Sequence, residues 1–90
     1  MNLVEAVSKF SDPDVKSVYI NYYDYCINLC KEPSPLDIGD DNVVKRVIVS
    51  EDMVGCTFLQ ITYNNDRKVE YYLNNSNVNY CKVNYYNGGL

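Results

Sequence analysis

Residues 15–30, VKSVYINYYDYCINLC, decide the fold, because this one stretch satisfies two periodicities at once. Val15, Val18, Tyr19, Tyr22, Cys26, Leu29 and Cys30 fall on one helical face, with Lys16, Ser17, Asn21, Asp24 and Asn28 largely elsewhere. Ile20, Tyr23 and Ile27 make a second stripe beside the first, and the segment is rich in β-branched and aromatic residues that suit strands. Its flanks favour the helix. Asp12 is placed to cap, Pro13 suits a first helical position, and Asp14 complements the positive end of a helix dipole. The expectation is a helix of about five turns that starts at Pro13 and ends before Pro33. A long bent strand over 17–30 is the competing reading.

Working outward, Asn2 followed by Glu5 is a variant of the capping box, and Leu3, Val7 and Phe10 keep helical spacing, which predicts a short first helix over 3–10. On the other side, Glu32-Pro33-Ser34-Pro35 through Asp40-Asp41-Asn42 reads as a turn-rich connection. Beyond it the pattern becomes β: Val43 to Val49 is mostly β-branched, Cys56 to Tyr63 alternates, and Val69, Tyr71 and Leu73 alternate again after a turn at 64–67. Asn74 to Asn77 makes another turn before Val78 to Tyr86. The sequence therefore predicts an α+β fold in a single domain, residues 1–90, with two N-terminal helices packed on one face of a four-stranded antiparallel sheet (ααββββ).

Composition narrows the function classes. The chain carries ten tyrosines but no histidine or tryptophan, which removes the commonest general base and metal ligand. Ten carboxylates face five cations over residues 1–52, a net −5, and two face three over residues 53–90, a net +1. A nucleic-acid binder needs a basic face that displaces counterions, so direct DNA or RNA contact is disfavoured. No apolar run approaches the roughly 20 residues that span a bilayer, and Met1 to Phe10 lacks the pattern of an export signal. A cytoplasmic protein with free thiols and no membrane contact is expected.

Cys26, Cys30, Cys56 and Cys81 lack the close pairs of zinc modules and read as small hydrophobes. Asp37, Asp40, Asp41 and Asn42 could approach a hard cation, but Gly39 is misplaced for a calcium loop, so an acidic solvated loop is the better reading. No catalytic residue, metal or cofactor is therefore assigned. Tyrosine and asparagine in quantity make a protein-recognition composition, since a small core cannot hide so many phenols. The adjacent pairs Tyr71-Tyr72 and Tyr85-Tyr86 each place one ring on either face of a strand. Tyr22, Tyr23, Tyr25, Tyr72 and Tyr86, with Asp37, Asp40 and Asp41, are the candidate partner contacts.

The functional expectation is a non-catalytic protein-binding module, of the kind that phages and other viruses use as accessory inhibitors of a host protein. It would act by interface occlusion or by acidic mimicry, with a host or self protein as partner and a homo-oligomer as one form. One alternative is a small-ligand, nucleotide-like binder whose phosphates meet Lys45, Arg46, Arg67 or Lys68 while tyrosines stack on its base. Another is a structural or assembly subunit.

Overall fold

A computed structural model of the chain describes residues 2–33 and 41–86. It contains one short helix, α1 (Leu3–Ser8), continued by a 3₁₀ turn over Lys9–Ser11, and six strands: β1 (Val15–Tyr22), β2 (Tyr25–Cys30), β3 (Val44–Glu51), β4 (Cys56–Tyr63), β5 (Lys68–Asn74) and β6 (Val78–Tyr85). The strands form two three-stranded antiparallel sheets, ordered β2-β1-β6 and β3-β4-β5. The expected second helix is absent and the four-stranded sheet is replaced by two sheets, so the ααββββ architecture is overturned.

The first helix does form as its sequence directs. Asn2 caps it by accepting the Glu5 amide at 2.8 Å. The supposed cap of the second helix is a turn instead: Asp12 accepts the Asp14 amide at 2.9 Å and delivers the chain into β1. The helical spacing of residues 15–30 has a different origin. In the ladder between β1 and β6, Val15 and Ser17 oppose the consecutive residues Tyr85 and Asn84, which makes Lys16 the extra residue of a β-bulge. The bulge resets the period, so Val15 and Val18, three apart, both point inward with Ile20. A two-residue turn, Tyr23-Asp24, then shifts the phase again before Ile27 and Leu29. A bulge and a turn together reproduce the i, i+3, i+7 pattern of a helix. The competing strand reading named the right conformation but ran one strand where there is a hairpin.

The later strands lie close to their expected positions, but β6 leaves the meander. After the 3₁₀ turn Asn75–Asn77 it pairs with β1, not β5, making β1 the central strand of the first sheet. Inward side chains match across that sheet: Leu29, Val18 and Val83 share one row, and Ile27, Ile20 and Cys81 the next. The second sheet turns Val47, Ile61 and Val69 inward on one row and Val49, Leu59 and Tyr71 on another. Both faces, with α1, close on one hydrophobic cluster. Strand β2 connects the two sheets: Tyr25 stacks on Tyr71 of β5, with ring centroids 6.4 Å apart, and Cys30 bridges to Val43 beside β3. Among the described residues no helix is long and apolar enough to cross a membrane.

Far-ultraviolet circular dichroism should show a strand-dominated spectrum, and Ile20→Ala, which empties the centre of the middle strand, should cost about 2–5 kcal/mol by chemical denaturation. Deleting Lys16 should destabilise more than Lys16→Ala, because only the deletion turns Val15 outward; equal losses would contradict the bulge.

Candidate protein-docking end

Strands β3 and β4 are joined by four residues, Asp52 to Gly55, whose shape is set by one carboxylate. Asp52 accepts the amides of Val54 at 3.0 Å and Cys56 at 2.9 Å, and its own amide donates to the Cys56 carbonyl at 2.9 Å. Its second carboxylate oxygen accepts the Tyr72 hydroxyl from β5. Gly55 completes the loop at φ +85°, a left-handed conformation that disfavours other side chains. Met53 and Val54 between them are 101% and 81% exposed, although both are apolar.

A second set of bonds ties this loop to the 3₁₀ turn after β5. The Asn75 amide donates to the Gly55 carbonyl at 2.9 Å, and its side-chain Nδ2 donates to Glu51 at 2.9 Å. The Thr57 hydroxyl, fully buried, donates to Asn75 Oδ1 at 2.6 Å. Two residues on, the Asn77 carbonyl accepts the amide of Tyr23, the first residue of the β1–β2 turn, at 2.9 Å. Tyr23 holds φ +34°, a strained value for an aromatic residue, with its ring 73% exposed. One 3₁₀ turn thus fastens both hairpin tips, and four exposed or half-exposed tyrosines gather around it.

Of the expected contact residues, Tyr22, Tyr23, Tyr25 and Tyr72 lie at this end. They play unequal parts. Tyr72 is 63% exposed, with its ring on the outward face of the second sheet beside Phe58. Tyr22 is half-buried and its oxygen is committed, accepting the Asn74 amide at 3.1 Å and the Asn77 side chain at 3.5 Å. The Tyr25 ring packs against Tyr22 in a tilted arrangement, with centroids 5.2 Å apart. Tyr86 and Asp41 are remote, at the opposite ends of the strands. The Tyr86 amide bonds to Asp14 before β1, and the Asp41 carbonyl accepts Arg67 from the β4–β5 turn. Asp37 and Asp40 lie outside the described residues.

Sequence reasoning missed Met53, Val54 and Ile48. Their signal was present: Asp-x-x-Gly marks a turn, and two apolar residues inside a turn have no core to enter. Ile48 is exposed on the outward face, one row from Phe58 and Tyr72, and extends the apolar surface along β3. Asp24, Glu51 and Asp52 surround the two tips, so the end is apolar with an acidic rim. The thiols are scattered: Cys26 is exposed, and burial pushes those of Cys30 and Cys81 up. Among the described residues no three metal-ligating side chains converge. Compared with known proteins, the chain matches no protein-family model, no characterised protein and no solved structure.

The bond between Asp52 and Tyr72 moves both groups apart. The phenol, first, and then the Cys56 amide hold the Asp52 carboxyl below its ordinary value, while the carboxylate pushes Tyr72 up to about 12. A lowered acid stabilises above its unfolded value and loses that contribution as pH falls through the folded one. A raised phenol stabilises below the ordinary tyrosine value and loses that contribution as pH rises through the folded one. An NMR titration should therefore find Tyr72 ionising well above the ordinary tyrosine value, and Asp52→Asn should return it toward an ordinary phenol. Asn75→Ala should cost about 1–3 kcal/mol, because it leaves the buried Thr57 hydroxyl without its acceptor.

Proposed function

We propose that this chain is a non-catalytic protein-binding module that docks through the end carrying Met53, Val54, Tyr23 and Tyr72. The observation that supports it most is the full exposure of Met53 and Val54 on a loop fixed by Asp52 and Asn75. A mobile loop would spend binding free energy on being ordered; this one is ordered beforehand. Aromatic and methionine side chains on a firm support are the usual anchors of protein interfaces. The acidic rim of Asp24, Glu51 and Asp52 complements a partner that offers an apolar cleft edged by lysine or arginine.

Such a module acts by covering a surface of its partner, which suits an accessory inhibitor of the phage or viral kind. Occlusion is favoured over imitation of nucleic-acid phosphates because the acids do not form one row. Asp12 and Asp14 precede β1 while Asp24 follows it, so the length of that strand, about 26 Å, separates them. A second copy of the chain meeting the same end would make it an assembly subunit.

The test is affinity capture from source lysate by the intact chain and by Met53→Ala/Val54→Ala, with solution mass measured in parallel to detect self-association. Burying these two side chains is worth about 1.5 kcal/mol or more each, so the double variant should bind its partner at least about 100-fold more weakly at unchanged fold. Equal capture by both proteins would remove this end from consideration.

A further inference from the structure

The outward face of the second sheet ends, away from the hairpin tips, in a different chemistry. Arg46, Thr62 and Lys68 form a single row across β3, β4 and β5. Strand spacing places the Cα atoms of Arg46 and Lys68 about 10 Å apart, within joint reach of their long side chains. Thr62 points outward between them and yet is only 5% exposed. Lys45 reaches the same place for a separate reason. It is the extra residue of a second β-bulge, where Val44 and Arg46 oppose the consecutive residues Tyr63 and Thr62. A bulge re-aims side chains, and here the adjacent residues Lys45 and Arg46 are both exposed and line one groove with Thr62, Asp66 and Lys68.

Three cations therefore share a groove with one carboxylate, in a chain whose formal net charge is −4. Asp66 pairs with Lys45 at 3.1 Å. Neither Arg46 nor Lys68 has a carboxylate partner among the described residues. Like charges gathered on one sheet face oppose folding unless something neutralises them. The remaining cation of the region is used elsewhere: Arg67 lies 4.4 Å over the Tyr63 ring and donates to Asn42.

We propose that this groove binds a phosphate group, held between the Arg46 guanidinium and the Lys68 ammonium with Lys45 at its rim. A guanidinium offers paired donors that match two phosphate oxygens, and a lysine adds a mobile point charge. The local excess of two positive charges equals the charge of a phosphate dianion. Among the described residues no tyrosine lines the groove, so the phosphate is recognised without stacking on a base. This site is distinct from the docking end and stands whether or not that end binds a protein.

Calorimetric titration at fixed ionic strength, with inorganic phosphate, pyrophosphate and glycerol phosphate as probes, tests it. Saturable one-site binding is expected, weakened about tenfold or more in Arg46→Gln/Lys68→Gln and unchanged in the remote control Lys16→Gln/Lys82→Gln. Tighter binding of glycerol phosphate than of the inorganic probes would assign the group to a phosphorylated small molecule; the reverse would assign it to the free anion. The ligand-free double variant should melt no lower than the native chain, since it removes a repulsion. Absence of saturable binding by all three probes, or equal weakening in the control, would overturn the proposal.

Discussion

Each sheet of this protein has one apolar face, which among the described residues only the other sheet and a short helix cover. That constraint governs the rest. To place Val15, Val18 and Ile20 of the central strand on a single face, the chain needs an extra residue at Lys16, and the same device at Lys45 puts Val44 and Val47 on the inner face of the second sheet. The bulges do more than correct register. Each leaves a lysine outside the ladder, and at Lys45 that displaced side chain joins Arg46 on the surface.

The sheets share their ends, and the ends have diverged. At one, a single 3₁₀ turn receives bonds from both hairpins, so the Asp52–Gly55 loop and the Tyr23 turn form a continuous, hydrogen-bonded surface. The apolar side chains of Met53 and Val54 are held out there by the backbone of that loop. At the other, three cations share a groove with one acid, Asp66. An acidic chain thus presents an apolar, acid-rimmed end and a basic groove at the far end of the same sheet face.

Strands with plain alternation were legible in the sequence. Cys56–Tyr63 is read correctly because its inward Thr57, Leu59, Ile61 and Tyr63 keep a period of two without interruption. Residues 15–30 were not, because a bulge and a tight turn, neither marked by glycine, imitate helical spacing. The partner of β6 was hidden for another reason: alternation fixes which face is apolar but not which neighbour is chosen. At the end that carries the Asp52–Gly55 loop, the exposure of Tyr72 was legible in the adjacent pair Tyr71-Tyr72, and that of Tyr23 in the density of tyrosines around it. Tyr22 looked equivalent in sequence, yet its hydroxyl serves as an acceptor that joins the two sheets.

Rigid presentation of Met53 and Val54 is the claim on which the docking account rests, and amide hydrogen exchange measures it directly. The Cys56 and Asn75 amides, which donate to Asp52 and to the Gly55 carbonyl, should exchange as slowly as amides in the adjoining strands. Exchange at the rate of an open loop would show that the tip is not held in place, and the docking account would fail with it.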